Sequence, residues 1–545
     1  MNHPERMLLS GNEAVALAAY QAGVALGVGY PGTPSTEILE NFARLGGHAQ
    51  WSPNEKVALE VGLGASFGGA ATLVTMKHVG VNVAADPLFT AAYIGASGPL
   101  VLVSADDPGM ASSQNEQDNR RFAVAAAIPM LEPGDSQEAY DYTLAGLRLS
   151  AEYKLPVMLR MTTRVCHSKT VVRPTPPTEK PAAPHYVKDI PGRVMIPAYA
   201  RPAHRRLRDK LTKLEKSQFA RDLLTTYGPQ DAKLCIITSG ISAVHCREAA
   251  PEARILKIGL THPLPMEAIE EFIDANDFTD LRVIEEGDPY LEELLRANYI
   301  AVEGKPEMYR FGEFNVGRVR RILDKDRSPE PPPTPGKPPE LCKGCPHRTV
   351  FQTLRDRGCI VAGDIGCYTL GVLSPFEAID TCVCMGASIG VGLGLRHVLP
   401  EDQARKVVSV IGDSTFVHSG LTGIAEMVYN PPPTGHLLLI LDNGTTAMTG
   451  QQEHPGTGRT LDHQPTGKIV FEKVLEAMGV EQVHVVDPWG DTEKFEQLVD
   501  SCLASGKLSV IIARRPCILA VGKIKEYERL AQATACTTCG DGGEG

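Results

Sequence analysis

Short apolar runs that end in polar residues alternate along most of this chain with stretches that have the periodicity of amphipathic helices. In the first part of the chain, LVTMKHVGVNV, PLVLVSADD and LPVMLRMTTR have the pattern of buried strands, and EKVALEVGLGASFGGA has that of a helix. Strands that alternate with helices predict parallel sheets with helices on both faces, which is an α/β fold. In such sheets the functional residues lie just beyond the carboxyl ends of the strands.

Two Pro-rich segments, VVRPTPPTEKPAAPH and RSPEPPPTPGKPPE, interrupt this alternation, because proline cannot hold a regular hydrogen-bond ladder. They divide the chain into three predicted α/β domains. The predicted organisation is a domain over 1–185, a linker and helix over 186–227, a smaller domain over 228–325, a Pro-rich linker over 326–340, a domain over 341–525 and a tail over 526–545. We interpret the basic stretch AHRRLRDKLTKLEKSQF as a solvated helix between domains rather than as a binding patch.

Composition and charge exclude several classes of protein. The chain has 545 residues and a net charge of -11, and this acidic balance argues against a nucleic-acid surface. The N-terminus has no apolar signal region, and no window approaches the roughly 18 uninterrupted apolar residues of a membrane span. We therefore expect a cytoplasmic protein with no membrane segment, in which the 13 cysteines do not form disulfides.

The strongest chemical signal is a pair of strand ends in the predicted third domain. VVSVIGD ends at Gly412 and Asp413, and HLLLILDNG ends at Asp442, Asn443 and Gly444. A diphosphate with Mg²⁺ needs hard oxygen ligands, and a glycine lets the backbone approach the phosphates. The helix that follows can direct its N-terminus at the anion. Two ordinary strand-end turns are the alternative, since GD and NG are common turn dipeptides.

This pair resembles the diphosphate-binding motif of thiamine-diphosphate enzymes, in which GDG is followed further along by an asparagine. The resemblance implies that Asp413 and Asn443 bind Mg²⁺ through their side chains and Thr445 through its carbonyl. It also places Gly412 and Ser414 at the cofactor. Ser414 departs from the general motif, which has a glycine at that position.

A thiamine enzyme also needs a carboxylic acid beside the aminopyrimidine ring, because that acid promotes removal of the thiazolium proton. The acid should lie at the start of a helix in a separate domain. WSPNEKVALEVGLGAS places Glu55 in such a position. The alternatives are that Glu55 only complements the helix dipole, or that Glu60, one turn later, has this role.

Eight motifs, in order over residues 8–525, resemble the large (alpha) subunit of indolepyruvate (arylpyruvate) ferredoxin oxidoreductase. They are YPGTPSTEI, NEKVALEVGLGAS, TMKHVGVNVAADPL, ADDPGMASSQNEQDNR, TTRVCHS, KGCPHR, GDIGCYTLG and NGTTAMTGQQEHPGTG. The resemblance implies a thiamine pyrimidine domain, then a transketolase C-terminal-like domain, then a diphosphate domain. It implies oxidative decarboxylation of aryl 2-oxoacids with thiamine diphosphate, Mg²⁺ and coenzyme A. It further implies a small beta subunit, a dimer of heterodimers, and ferredoxin or another carrier as acceptor.

Several residue roles follow from matching positions in these motifs. By resemblance, Thr33 lies beside substrate and cofactor, Lys77 and His78 meet the substrate carboxylate, and Gln114 lies in a substrate-contacting loop. A solvated strand end is the alternative for Lys77. The same resemblance places Gly366 and His347 near the cofactor; a core position is the alternative for His347.

Clustered cysteines suggest where electrons leave. By resemblance, the pair Cys342 and Cys345, with Cys367 and Cys517, binds a [4Fe–4S] cluster near the thiamine. A zinc site or four buried thiols are the alternatives. We interpret three further cysteines as packing residues, namely Cys359, Cys382 and Cys384.

The tail departs from the family, whose large subunit usually ends in a two-cluster ferredoxin-like domain. Only Cys536 and Cys539 are found there, which puts ferredoxin as the direct acceptor in question. Two other functions stay open on the sequence alone. One is a non-oxidative thiamine-dependent decarboxylase or carboligase, and the other is a thiamine-binding subunit without turnover.

Overall fold

The computed structural model describes residues 5–177, 183–331, 339–527 and 529. The described residues up to 331 form one compact unit and those from 339 on form another. Both units contain mainly parallel sheets with helices on their faces, which confirms the predicted α/β class. In the described part of the chain, no helix has both the length and the apolar character that crossing a membrane requires.

The first unit is built on a seven-stranded sheet in the order β12-β6-β7-β5-β4-β2-β3, and only β12 runs antiparallel. The strands of this unit are β1 (Met7–Ser10), β2 (Leu26–Gly29), β3 (Ala49–Trp51), β4 (Thr72–Lys77), β5 (Leu100–Asp106), β6 (Met130–Leu131), β7 (Val157–Thr162), β8 (Lys169–Val172), β9 (Leu224–Tyr227), β10 (Leu234–Ser239), β11 (Arg254–Ile258), β12 (Leu260–His262) and β13 (Asp280–Ile284).

Helices cover both faces of this sheet, and a short 3₁₀ turn, Glu307–Tyr309, lies near the end of the unit. The helices are α1 (Gly11–Gln21), α2 (Thr36–Arg44), α3 (Glu55–Phe67), α4 (His78–Val83), α5 (Ala85–Ile94), α6 (Arg120–Ala126), α7 (Ser136–Tyr153), α8 (Thr163–His167), α9 (Ile190–Arg193), α10 (Pro197–Glu215), α11 (Gln218–Asp222), α12 (Gly240–Ala249), α13 (Met266–Asp274), α14 (Tyr290–Ala297) and α15 (Val316–Leu323).

Burial explains why the central strands are continuous apolar runs in the sequence. Every residue of β5 is buried, as expected for a parallel strand that is covered on both faces. The run LVTMKHVGVNV is not one strand, because β4 ends at Lys77 and α4 begins at His78. In this helix Val81 faces the core, whereas Val83 is exposed. Periodicity cannot separate a strand from a helix in a short apolar run.

Three strands of the segment predicted as the second domain form a four-stranded sheet with β9, which the sequence analysis placed in the linker, in the order β13-β10-β11-β9. Strand β12 of this segment leaves that sheet and pairs antiparallel with β6, so that Leu260 lies opposite Leu131. Buried ion pairs also join the two sheets. Arg120, which opens α6, pairs with Glu285 just after β13 at 2.6 Å. The two predicted domains therefore share a strand pairing and a charged core within the first unit.

The second unit has a six-stranded, fully parallel sheet in the order β15-β14-β16-β17-β19-β18. Its strands are β14 (Ile360–Gly363), β15 (Thr381–Cys382), β16 (Val407–Gly412), β17 (His436–Asp442), β18 (Gln482–Val486) and β19 (Leu508–Arg514). Its helices are α16 (His347–Asp356), α17 (Ala387–Val398), α18 (Glu401–Ala404), α19 (Asp413–Thr415), α20 (Leu421–Tyr429), α21 (Phe471–Ala477) and α22 (Thr492–Ser505), with 3₁₀ turns at Cys367–Val372 and Ala447–Thr449 and a π-helical turn at Phe416–Gly420.

Three interpretations made from the sequence can be compared with these elements. The basic stretch forms most of α10, in the first unit. Cys382 and Cys384 are exposed, so the interpretation of both as packing residues is wrong, whereas Cys359 is half-buried against the core. The predicted tail cysteines, Cys536 and Cys539, lie outside the described residues.

Candidate functional site

Two neighbouring strands of the second unit bring the predicted Mg²⁺ ligands to one edge of the sheet. Asp413 follows β16 directly and Asn443 follows β17 directly, and these strands are paired so that Gly412 lies opposite Leu441. The Gly444 amide donates a hydrogen bond of 2.8 Å to the Asp413 carboxylate, which joins the two strand ends. The carboxyl edge of the sheet thus collects both residues.

The Asp413 carboxylate is buried and ionised. Burial alone would raise its pKa, but His454, whose Nε2 lies 3.3 Å from Oδ2, holds the pKa below its usual value. The Ser414 amide, which donates to Oδ1 at 2.8 Å, acts in the same direction. Next to it, burial and the Asp413 charge raise the pKa of Asp442, although Arg514 pairs with that carboxylate at 2.7 Å. A fixed anion therefore lies at the end of β16.

Asn443 is surrounded by polar groups that hold its amide. Its Oδ1 accepts a hydrogen bond of 3.1 Å from the Thr445 amide, and its Nδ2 lies 3.5 Å from His347 Nε2. His347 is buried at the start of α16, and burial lowers its pKa to about 4. A neutral imidazole, which can accept a hydrogen bond, therefore faces the asparagine. The Ser414 hydroxyl accepts a bond of 2.9 Å from Thr446.

One tyrosine, which sequence analysis did not single out, shapes the backbone of this site. The Tyr368 hydroxyl accepts a hydrogen bond of 2.9 Å from the Gly412 amide. A Cβ on Gly412 would lie 2.6 Å from the Tyr368 ring, and one on Gly366 would lie 2.3 Å from it. Both glycines therefore leave room for this ring. Tyr368 is the tyrosine of the motif GDIGCYT, and an aromatic residue so close to a glycine motif is the sequence signal that could have indicated its contact with the cofactor-site backbone.

The donor types at this edge fit Mg²⁺. The described residues contain no group of three or more His, Cys, Asp or Glu side chains that could hold a metal ion. The predicted set is of another kind, because it combines the carboxylate of Asp413, the amide oxygen of Asn443 and the main-chain carbonyl of Thr445. Mg²⁺ takes such hard oxygens and keeps water in its remaining positions.

The four predicted cluster cysteines lie in one region of the second unit, but in the described structure their side chains do not form a group that could hold a metal ion. Cys342 and Cys345 are in the loop before α16, where the Cys345 amide donates to the Cys342 carbonyl at 3.1 Å. The Cys517 amide donates to the Asn443 carbonyl at 2.9 Å. The pKa of Cys367 is raised to about 12, first by burial and then by the negative charge of its ionisable neighbours Cys345, Cys517, Asp413 and Cys342.

These thiols are not deeply packed. Cys342 is exposed, and Cys345, Cys367 and Cys517 are half-buried. Burial, with Cys342 and Cys517 nearby, also raises the pKa of Cys345 to about 11. Cys345 packs against the core of the second unit. Because Cys342 is exposed and the other three are only half-buried, the alternative of four buried thiols does not describe this set.

In the first unit, Glu55 lies where the sequence predicts it, at the first position of α3. Asn54 caps this helix, since its Oδ1 accepts a hydrogen bond of 2.9 Å from the Val57 amide. The Glu55 side chain is only 5% exposed. A Cβ on Gly80, in α4, would lie 2.6 Å from Glu55 Oε1. The rival Glu60 points outward and pairs with Lys56.

Thr33 and Lys77 come from neighbouring strand ends. Thr33 lies in the loop after β2, and a Cβ on the adjacent Gly32 would lie 3.0 Å from Lys77 Cβ. Lys77 ends β4, is half-buried, and donates from Nζ to the Ser112 carbonyl at 2.6 Å. Burial lowers the pKa of Lys77, although Asp107 acts against this. A freely solvated strand end does not describe this side chain.

His78 opens α4 and is fully buried. Its Nε2 lies 3.1 Å from the Asn115 carbonyl, and no described residue bonds its Nδ1. Burial lowers the pKa of His78, so the ring is neutral near pH 7. The predicted Gln114 is exposed in the adjacent loop.

Gln117, rather than Gln114, ties this loop to α4. Its Nε2 donates to the His78 carbonyl at 3.0 Å, to Asn82 at 3.1 Å and to Asn119 at 2.7 Å. Sequence analysis missed this residue, although the amide-rich run QNEQDN was a signal of such a network. Glu55, Thr33, Lys77 and His78 thus lie around the carboxyl ends of β2 and β4.

Two families of known proteins match separate parts of the chain. The family described as "Thiamine pyrophosphate enzyme, C-terminal TPP binding domain" matches residues 364–513, which include Asp413 and Asn443. The family described as "Pyruvate flavodoxin/ferredoxin oxidoreductase, thiamine diP-bdg" matches residues 17–208, which include Glu55.

Similar curated proteins span nearly the whole chain. Indolepyruvate oxidoreductase subunit IorA of Archaeoglobus fulgidus is 39% identical, over 98% of this chain and 91% of the relative. The protein of the same name from Methanothermobacter thermautotrophicus is 37% identical, over 98% of this chain and 90% of the relative. That of Pyrococcus horikoshii is 38% identical, over 94% of this chain and 86% of the relative. Since the identity extends over both units and nearly all of each relative, the chain belongs to the IorA family of indolepyruvate oxidoreductase subunits.

Proposed function

We propose that this chain is the thiamine-diphosphate-dependent subunit of an enzyme that oxidatively decarboxylates aryl 2-oxoacids. In this reaction R–CO–COO⁻ and CoA–SH give R–CO–S–CoA, CO₂, one proton and two electrons. The electrons pass through iron–sulfur to ferredoxin or another carrier. One observation carries the proposal: the buried Asp413 carboxylate at the end of β16 accepts a hydrogen bond of 2.8 Å from the Gly444 amide, which places it beside Asn443 at the carboxyl edge of the sheet.

The second unit supplies the residues that would hold the cofactor. Asp413, Asn443 and the Thr445 carbonyl would bind Mg²⁺, and Gly412 and Ser414 would border the diphosphate. Thiamine diphosphate, when bound, supplies a thiazolium that accepts the electron pair released by decarboxylation. His347 keeps the Asn443 amide in place at 3.5 Å, and Tyr368 fixes the Gly412 backbone.

The first unit supplies the residues for proton transfer and substrate. Glu55, buried at the start of α3, would hydrogen-bond the aminopyrimidine and so promote loss of the thiazolium proton. Lys77 and the neutral His78 would position the substrate carboxylate beside Thr33. The burial that lowers the pKa of Lys77 and His78 also keeps water from competing for the carboxylate.

The cysteines would conduct the electrons. Cys342, Cys345, Cys367 and Cys517 have the number and ligand type that a [4Fe–4S] cluster requires. Such a cluster accepts one electron at a time, which suits a carrier such as ferredoxin. A small beta subunit would complete the enzyme, as a dimer of heterodimers.

The test is an anaerobic preparation of this chain with its small subunit, thiamine diphosphate and Mg²⁺. We expect about four iron and four sulfide per chain. Indolepyruvate and phenylpyruvate should reduce ferredoxin or a viologen dye only when coenzyme A is present. Release of CO₂ without iron and without dye reduction would instead favour a non-oxidative decarboxylase. Cofactor binding with no CO₂ release from any aryl 2-oxoacid would favour a subunit without turnover.

A further inference from the structure

An apolar strip lies on the surface of the first unit, in the segment before α10. Five side chains of this segment are between 47% and 62% exposed: Tyr186, Val187, Ile190, Val194 and Ile196. Contiguous exposed apolar surface on a folded protein marks an interaction site more often than scattered single residues do. We call these five residues the apolar strip.

Contacts of Arg193 anchor the strip to the rest of the first unit. Arg193 donates to the Val187 carbonyl at 2.6 Å and to the Ser97 hydroxyl at 2.8 Å. Its guanidinium also lies over the rings of Tyr186, at 4.9 Å, and of Phe67, at 5.3 Å. A preorganised surface loses little conformational entropy when a partner binds.

A basic face continues from the strip along α10. Arg201, Arg205 and Arg208 have the spacing that places side chains on one side of a helix, and all three are exposed. Arg206 and Lys213 are also exposed but lie on another side of the helix, and the exposed Asp209 lies one turn after Arg205. We call Arg201, Arg205 and Arg208 the basic face. Within the described ranges, no carboxylate forms an ion pair with any of them.

Folding does not explain this arrangement. The opposite side of α10 is already buried, through Leu207 and Leu211 in the core. Like charges one helical turn apart destabilise a helix, so the arginines cost stability in the isolated chain. The helix has 19 residues and is therefore about 28 Å long, which is enough for one side of a standard protein interface.

Charge selects among the possible partners. A second copy of this chain would bring the same cations to a symmetric contact, where they repel. A membrane would need a free apolar side of α10, and that side is buried. A nucleic acid would meet a chain with a net charge of -11. An acidic protein surface with apolar residues at its centre complements both the strip and the face.

We propose that the apolar strip and the basic face together form the docking surface for an acidic face of the small partner subunit. This inference rests on the proposed function only in assuming that such a subunit exists. The apolar contact gives the complex its lifetime, and the cations speed and orient the encounter.

The test compares two charge-reversed variants of the full chain with the unmodified protein. The first is Arg201→Glu/Arg205→Glu/Arg208→Glu. The matched control changes net charge equally at exposed cations outside this surface, as Arg320→Glu/Lys473→Glu/Lys494→Glu. Affinity for the purified small subunit is measured by sedimentation or calorimetry at low and at physiological salt. Bound thiamine diphosphate is measured separately, so that failure of the proposed function is distinguished from failure of this one.

We expect the first variant to lose at least about 10-fold in affinity for the small subunit, with a flatter salt dependence, while the control is unchanged. A milder variant with glutamine at the three positions should have an affinity between those of the unmodified protein and the charge-reversed variant. Circular dichroism checks that each variant is folded. Equal affinity of all variants for the small subunit would overturn the proposal. So would an equal loss of affinity in the α10 variant and in the matched control. A changed oligomeric state of this chain alone, or loss of ferredoxin reduction with the small subunit still bound, would also contradict it by assigning the surface to another partner.

Discussion

At the residue scale, the candidate site depends on which buried side chains keep their charge. Burial lowers the pKa of His347 to about 4, so this ring is neutral wherever the enzyme works near neutral pH. Asp413 is as deeply buried, but His454 and two amide N–H groups keep it ionised. A neutral imidazole beside the amide of Asn443 and an anion on the neighbouring strand are the combination that a divalent cation favours.

Replacing Glu55 tests the proposed activating acid. The variant Glu55→Gln keeps the volume and the helix start but removes the acid, so thiamine diphosphate should still bind while turnover falls by about 10²-fold or more. CO₂ release and cofactor binding are measured on the same sample. Glu60→Gln is the matched control, because Glu60 lies one turn later in an exposed ion pair. Full activity in Glu55→Gln would refute this assignment.

Single cysteine variants test the proposed cluster. Cys345→Ser and Cys367→Ser each remove one of the proposed cluster ligands, so iron per chain should fall from about four toward zero. Iron, sulfide and the visible absorption of the cluster are measured under anaerobic conditions. Cys382→Ser is the control, since Cys382 is exposed and outside that group. Iron that stays at about four in both ligand variants would make these cysteines structural.

At the element scale, buried charges lie where the seven-stranded and the four-stranded sheets of the first unit meet. Arg120, at the start of α6, pairs with Glu285 after β13 at 2.6 Å and donates to the Glu286 carbonyl at 2.7 Å. Breaking a buried pair leaves an uncompensated charge and costs several kcal/mol. We therefore expect these two sheets to unfold together.

Glu286, after β13, makes the stability of this contact depend on pH. Its carboxyl is buried and accepts the Phe314 amide at 2.6 Å, and burial raises its pKa from 4.5 to about 7. As pH rises from 4.5, Glu286 ionises in the unfolded chain but stays protonated in the folded chain. The free energy of unfolding therefore falls until about pH 7. The cost above that pH is about 3 kcal/mol.

Glu286→Gln should remove this cost, because glutamine resembles the protonated acid and can still accept the Phe314 amide. We expect its free energy of unfolding to exceed that of the unmodified protein at about pH 8 and to equal it at about pH 4.5. Urea unfolding at the two pH values measures the difference. If Glu286→Gln raised the free energy of unfolding equally at both pH values, titration of Glu286 would not be the cause of the stabilisation.

At the scale of the whole molecule, cofactor binding should appear as stability. A ligand that binds only the folded chain stabilises it by about 2.7 kcal/mol at about one hundred times its Kd. Thiamine diphosphate with Mg²⁺ should therefore raise the Tm, and a chelator should reverse the rise. Asp413→Asn should abolish the shift, whereas the exposed Asp402→Asn should keep it. A rise that persists in Asp413→Asn would exclude Asp413 as a metal ligand.

Local sequence was enough to define most of the elements and their order. Strand patterns located β16 and β17, and because the carboxyl ends of parallel strands share one edge, they implied that Asp413 and Asn443 meet. The cap at Asn54 likewise put Glu55 at the start of a helix. These features depend on local periodicity and on capping, which a short window of sequence contains.

Tertiary packing, by contrast, selects the distant groups that surround those residues. Tyr368 beneath Gly412, His454 on Asp413 and Gln117 on the His78 carbonyl come from segments distant in sequence, whose local patterns do not specify the partner of each contact. The pairing of β12 with the first sheet has no local signal either. Such contacts form because the whole packed core lowers the free energy, and no single window of sequence carries that sum.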